Sequence, residues 1–131
     1  MGITEETLVD KEALAKRAFS YLNEQKFDLA IKDCTQILEI DPNYSAAYFV
    51  RGGAYVFTGK FNEALSDLNK CIEALSDQVA EPYIFRALAY GGLGEYDKAL
   101  ADLDKAATID PKNEVIEQIR QAVLGEKNKT R

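Results

Sequence analysis

The feature that most constrains this chain is a stretch of sequence that occurs three times in succession. The copies begin at residues 11, 45 and 80 and align without internal gaps, so the period is 34 and then 35 residues. A chain of 131 residues has room for one modest domain or for a stack of a few small repeats. A fixed period of this length predicts the stack, in which each unit packs against its neighbours along the chain.

Six alignment columns recur in all three copies. They are Arg17/Arg51/Arg86, Ala18/Gly52/Ala87, Tyr21/Tyr55/Tyr90, Phe27/Phe61/Tyr96, Ala30/Ala64/Ala99 and Asp33/Asp67/Asp102. Within each copy the apolar positions recur at helical spacing in two runs, separated by the segments EQKF, TGKF or LGEY. Each copy is therefore predicted to be a hairpin of two helices joined by a short turn.

These columns and spacings resemble the tetratricopeptide repeat family over about residues 11 to 113. The resemblance implies an all-α fold, a right-handed α-solenoid of three helix hairpins at about 11–44, 45–79 and 80–113. In such a solenoid the first helices line a concave groove and the second helices form the outer face. Three positions depart from the family pattern: the arginine column stands where leucine is more usual, Cys34 replaces a bulkier residue, and Ser76 replaces proline.

The segment EVIEQIRQAVL, at about residues 114 to 124, has apolar residues on one helical face and polar residues on the other. It is predicted to be a capping helix that covers the last hairpin. Residues 125 to 131 are expected to form a flexible tail. Residues 1 to 131 are thus interpreted as a single repeat domain with a C-terminal capping helix.

Arginine and aspartate lie sixteen residues apart in every copy, on the first and the second helix respectively. Because unpaired charges on packing faces are costly, the sequence predicts structural ion pairs of Arg17, Arg51 and Arg86 with Asp33, Asp67 and Asp102. The alternative is that the arginines grip the carboxylate of a ligand. Cys34 and Cys71 both lie among apolar neighbours and are interpreted as two reduced core thiols.

Composition excludes several classes of function. The formal net charge is −6 and the sixteen Lys and Arg residues are dispersed, which argues against nucleic acid as a partner. No apolar run approaches the roughly 18 residues that span a bilayer, so no membrane insertion is expected. The chain has no histidine and no convincing phosphate-binding or calcium-binding motif, so we predict no enzyme, no metal and no cofactor. Nothing resembling a secretory signal precedes residue 12, and a cytoplasmic location is the expectation.

Removing the packing columns leaves the face of the first helices that is expected to line the groove. It is predominantly apolar, with acidic residues at one lip, and its predicted binding residues are Phe19, Leu22, Phe49, Val50, Gly53, Phe57, Ile84, Phe85 and Leu88. Members of the family that clamp the carboxylate tail of heat-shock chaperones use Lys, Asn and Arg in this face. The matching positions here are Ala15, Phe19, Val50, Glu81 and Phe85, so no such clamp is expected.

An exposed apolar groove of this size is normally covered. The first hypothesis is a non-catalytic, co-chaperone-like adaptor that binds an apolar or amphipathic segment of a partner protein. The second is a homo-oligomer, assembled through the groove or through the solenoid ends. A third possibility is that superhelical curvature partly closes the groove on itself.

Overall fold

The computed structural model describes residues 10–129, and within them the chain is all-α. The helices run in chain order: α1 (Lys11–Asn23), α2 (Phe27–Ile40), α3 (Ser45–Phe57), α4 (Phe61–Leu75), α5 (Glu81–Gly92), α6 (Tyr96–Ile109) and α7 (Glu114–Lys129). The pairs α1/α2, α3/α4 and α5/α6 form three hairpins at the positions of the three sequence repeats. The all-α repeat fold predicted from the sequence is confirmed.

The turns inside the three hairpins have the same backbone conformation. Gly59 and Gly94 adopt φ values of 78° and 77°, in the left-handed region that ends many helices. Gln25 occupies the equivalent position of the first hairpin with a φ of 63°. The turn is thus set by the repeat, and the first hairpin adopts it without the glycine that would remove its steric cost.

Close helix contacts in the hairpins depend on the columns of small residues. Ala18, Ala30, Ala64, Ala87 and Ala99 have no exposed surface. At the Gly52 position an added Cβ would lie 2.8 Å from Cγ of Leu68, so even a methyl group is too large there. The small residues therefore let the second helix of each hairpin approach the first.

Each hairpin packs on the next through its first helix. Ala47, Val50 and Ala54 of α3 complete the apolar core of the first hairpin, and Ile116 and Val123 of α7 complete the core of the third. The helix α7 thus covers the end of the stack, as a capping helix does.

The capping helix α7 is longer than the sequence predicts. The capping helix continues to Lys129, five residues beyond the predicted end, so the predicted flexible tail at 125–129 is wrong. Lys127 Nζ lies 2.7 Å from Asp97 Oδ1 and Lys129 Nζ lies 3.1 Å from Glu126 Oε1, and cations in the last turn suit the helix dipole. Residues 130–131 of that tail lie outside the described residues.

The junction between the second and third hairpins, which lacks proline, is a 3₁₀ turn at Ser76–Gln78.

Candidate functional site

The first helices and the second helices form two different layers. Helix α1 contacts α3, α3 contacts α5, and α5 contacts α7, whereas each second helix packs mainly on the first helices on either side of it. The solvent-facing side of α1, α3, α5 and α7 is therefore one continuous surface. We call this surface the groove.

Four phenylalanine rings from three helices meet in and beside the groove. Phe57 stacks on Phe27 with 5.5 Å between ring centroids, and it packs nearly perpendicular to Phe85 with 5.9 Å between centroids. Phe85 in turn meets Phe49 at 5.4 Å. Ring pairs of this geometry contribute about 0.5–1.5 kcal/mol each beyond area burial, which favours this arrangement of the aromatic surface.

The predicted groove residues divide into three groups by exposure. Phe57 is 55% exposed and Phe19 is 47% exposed. Phe49, Phe85 and Leu88 are half-buried. The remaining four, which are Leu22, Val50, Gly53 and Ile84, are buried. The structure thus gives five of the nine predicted residues an accessible side chain.

Leu22, Val50 and Ile84 were expected to be accessible binding residues. That expectation is wrong, because stacking of the helices buries all three. Leu22 and Val50 belong to the core of the first hairpin, and Ile84 belongs to the core of the third. Gly53 lies against Leu22 and Phe85, with 3.5 Å and 3.6 Å from an added Cβ to their side chains. Leu22, Val50 and Gly53 look open on a single hairpin but are covered by a neighbouring first helix. Ile84 is buried in the core that the third hairpin shares with α7.

Three shallow clefts divide the groove. The first lies between α1 and α3 and is lined by Glu12, Ala15, Lys16, Phe19, Ser20, Ala46, Phe49 and Val50. The second lies at the hairpin turns and is lined by Leu22, Asn23, Gln25, Phe27, Phe57 and Phe85. The third lies between α5 and α7 and includes Leu88, Gly91, Gly92, Ile119, Ala122 and Val123. The sequence-based prediction missed the third cleft's α7 wall, because α7 was interpreted only as a cap.

Charged groups stand at one lip of the groove, where the first helices begin. Glu12 lies in the first turn of α1 and Glu81 in the first turn of α5, and both are exposed. The equivalent positions on α3 and α7 are Ala46 and Val115. In this repeat column two of the four helices carry a carboxylate, and α7 has Glu114 and Glu117 elsewhere in its first turn.

Each arginine of the repeat column binds the aspartate sixteen residues later with two hydrogen bonds. Arg51 Nε donates to Asp67 Oδ2 at 2.7 Å and its Nη2 donates to Oδ1 at 2.9 Å, and the other two pairs have the same geometry. The bonds to Asp67 and Asp102 raise the pKa of Arg51 and Arg86. The side chains of Asp33, Asp67 and Asp102 are buried.

The arginines also join neighbouring hairpins, through polar side chains that the sequence did not identify as their partners. Arg51 Nη1 donates to Thr35 Oγ1 of the preceding hairpin at 3.2 Å, and Arg86 Nη1 donates to Asn69 Oδ1 at 3.0 Å. Arg120 of α7 repeats the contact with Asp104 Oδ1 at 2.5 Å. The spacing of 34 residues between Arg86 and Arg120 was the available signal, since it places α7 in the register of a fourth first helix.

The thiols of Cys34 and Cys71 are both buried. Burial raises the pKa of Cys34 to about 12 and that of Cys71 to about 11. Elsewhere in residues 10–129, no three acidic or thiol side chains gather in a way that suits a metal ion. No helix in the same part of the chain combines the length and the apolar content needed to cross a bilayer.

Comparison with known proteins gives structural relatives that share this architecture. The second TPR domain of human RPAP3, solved in complex with an HSP70 peptide, superposes with a TM-score of 0.75 at 20% identity, over 87% of this chain and 98% of that one. MamA from Desulfovibrio magneticus superposes with a TM-score of 0.80 at 23% identity, over 92% of this chain and 69% of that one. At these identities the likeness is one of fold.

A curated relative covers only part of the chain. The DnaJ protein P58IPK homolog B of Oryza sativa is 34% identical over 64 residues, which is 49% of this chain and 14% of the rice protein. Family models described as tetratricopeptide repeat match residues 12–44, 45–74 and 80–113, which together are most of the sequence. The chain belongs to the tetratricopeptide repeat family.

Proposed function

We propose that this chain is a protein-interaction module that binds an apolar or amphipathic segment of a partner protein in its groove. The observation that carries the proposal is the exposure of Phe57 and Phe19, two large apolar side chains on the same surface, beside the half-buried Phe49 and Phe85. Aromatic side chains in fixed positions dominate the energy of many protein interfaces. The five accessible anchors are therefore Phe19, Phe49, Phe57, Phe85 and Leu88.

The shape of the groove also favours a bound segment over a flat contact. The first and third clefts have volumes of about 460 Å³ and 360 Å³, which is enough for single large side chains of a ligand. Gly91 lines the third cleft, where an added Cβ would come no closer than 3.9 Å to Val123, so a ligand backbone can come close to α5 at this residue. The ring of Phe61 occupies the space of a side chain at the adjacent Gly92. A peptide or helix that crosses the first helices can place one apolar side chain in each cleft.

The ligand we propose differs from the heat-shock peptide in the RPAP3 complex. By resemblance to the clamping members of the family, the positions that would hold a terminal carboxylate are Ala15, Phe19, Val50, Glu81 and Phe85. Val50 is buried and the two phenylalanines offer no hydrogen-bond donor. The exposed carboxylate of Glu81 would repel an acidic tail.

The second candidate function is self-association through the groove or the solenoid ends. The same exposed phenylalanines favour the groove contact. The N-terminal end is a weaker candidate, because α1 has Ala13, Lys16 and Ser20 at the positions where α3 has the apolar Ala47, Val50 and Ala54. These three α1 residues are exposed and two of them are polar, as on the outer face of a terminal repeat.

The test is selection of ligands from a displayed library of random peptides on the wild-type protein and on Phe19→Asp plus Phe57→Asp. We expect the wild type to enrich peptides rich in apolar residues, and the double variant to bind those peptides at least about tenfold more weakly, because each lost anchor costs about 1–3 kcal/mol. The matched control is Leu29→Asp plus Ile40→Asp, which changes two exposed apolar residues of the outer helix α2 by the same charge. Equal loss in both double variants would contradict binding in the groove.

Sedimentation of the wild type at several concentrations separates the second candidate from the first. A concentration-dependent dimer that the groove variant abolishes supports self-association through the groove. A wild type that stays monomeric at high concentration rules out that assembly.

A further inference from the structure

The basic side chains of the first helices are mostly held in structural ion pairs, whereas the carboxylates at the groove lip are not. The column arginines are the strongest bases on the first helices, but each is held by a buried aspartate through two hydrogen bonds. They therefore offer little positive charge to a ligand. The basic side chain that remains in the first cleft is Lys16.

The acidic groups of the groove lip are not neutralised in the same way. Glu12 lines the first cleft beside Phe19 and Phe49, and the repeat register places Glu81 at the same position on α5. Within residues 10–129 neither carboxylate takes part in an ion pair, whereas Glu126, which lines the third cleft, is paired with Lys129 at 3.1 Å. Two exposed carboxylates thus stand at the edge of an apolar surface, on a chain of net charge −6.

We propose that the partner segment is amphipathic and basic, with apolar side chains in the clefts and Lys or Arg side chains against Glu12 and Glu81. This inference rests on the proposed function, because it concerns the ligand of the same groove. Complementary charge at an interface rim steers association and selects among ligands of similar apolar content. An acidic or neutral amphipathic segment lacks that attraction and is bound more weakly.

Charge also weighs against a second copy of this chain as the occupant. If two copies met groove to groove with similar residues facing each other, Glu12 and Glu81 of one copy would approach carboxylates of the other. Like charges brought together at an interface oppose association. A basic segment of another protein has the opposite effect on the same two groups.

The experiment measures how often Lys and Arg occur in the peptides that bind the groove. A displayed library of random peptides is selected in parallel on the wild type and on Glu12→Lys plus Glu81→Lys. We expect the wild type to enrich apolar peptides that also carry Lys or Arg, and the charge-reversed variant to lose that basic preference. Measured with one basic peptide from the wild-type selection, reversal should weaken binding about 3- to 30-fold, because two exposed ion pairs are lost and like charges then face each other. High salt should reduce this difference.

The matched control is Glu39→Lys plus Glu63→Lys, which makes the same change in net charge on the outer helices α2 and α4. Glu39 and Glu63 are both exposed, so both double variants should fold. Apolar peptides selected by the wild type with no preference for basic residues would overturn this inference and leave the proposed function standing. If the wild type selects no more peptides than Phe19→Asp plus Phe57→Asp, the proposed function itself fails.

Discussion

Arg51 and Asp67 form a two-point ion pair in the middle hairpin, with 2.7 Å and 2.9 Å between the bonded atoms. The Arg51 side chain is 20% exposed and that of Asp67 is 4% exposed, so the pair is shielded from water. The equivalent Arg17 of the first hairpin is 56% exposed, although its hydrogen bonds to Asp33 are as short. The same pair therefore occurs in two environments within one chain.

Replacing Asp67 by Ala is expected to lower the free energy of unfolding by about 2–4 kcal/mol, because the change leaves the largely buried charge of Arg51 without its partner. The measurement is urea unfolding followed by circular dichroism. Replacing Asp33 by Ala is the control and should cost roughly 1 kcal/mol less, since water can solvate the exposed Arg17. Equal losses would show that burial of the arginine does not set the cost.

The adjacent glycines of α3 are expected to respond to alanine in opposite ways. At Gly53 the nearest atom to an added Cβ lies at 3.5 Å, an ordinary contact, so Gly53→Ala should stabilise the protein by up to about 1 kcal/mol through helix propensity. At Gly52 the added methyl meets the buried Leu68 at 2.8 Å, and overpacking should outweigh the propensity gain, for a net loss of about 1 kcal/mol. Thermal unfolding of both variants measures the difference. Similar midpoints would mean that Leu68 moves aside without cost.

The sequence alone predicts the hairpins well, because their information is local. The helical spacing of apolar residues and the turns before Phe27, Phe61 and Tyr96 mark six helices, and the structure has all six. The spacing of Arg17 and Asp33 is equally informative, since it recurs unchanged in every copy. Because each helix and turn occurs three times in this chain, its sequence pattern can be compared among three copies, which a chain without repeats does not allow.

The accessible surface is harder to read from sequence, because it depends on how one hairpin rotates against the next. Val50 and Ile84 look like groove residues on a single helix, yet Val50 is buried in the core of the preceding hairpin and Ile84 in the core that its own hairpin shares with α7. Helix α7 continues through Gly125 to Lys129, and beyond that glycine Lys127 contacts Asp97 of α6 at 2.7 Å. In both places the structure includes contacts between elements that are far apart in sequence, which the local pattern does not reveal.

The role of α7 as a cap predicts opposite outcomes for two adjacent side chains. Ile116 is almost fully buried against the third hairpin, so Ile116→Ala should lower the free energy of unfolding by about 2–4 kcal/mol. Val115 is 48% exposed, and Val115→Ala should change it by less than about 0.5 kcal/mol. Urea unfolding of the two variants is the measurement. Equal small effects would indicate that α7 is detached in solution.

The buried thiols predict that the native protein resists alkylation. Burial raises the pKa of Cys34 to about 12 and that of Cys71 to about 11, so at pH 8 roughly one thiol in a thousand or fewer is the reactive thiolate. Iodoacetamide should therefore label neither residue in the folded chain, and both in urea, as mass spectrometry of the tryptic peptides would show. Rapid labelling of the folded chain at pH 8 would contradict the tight packing of α2 and α4 against their partner helices.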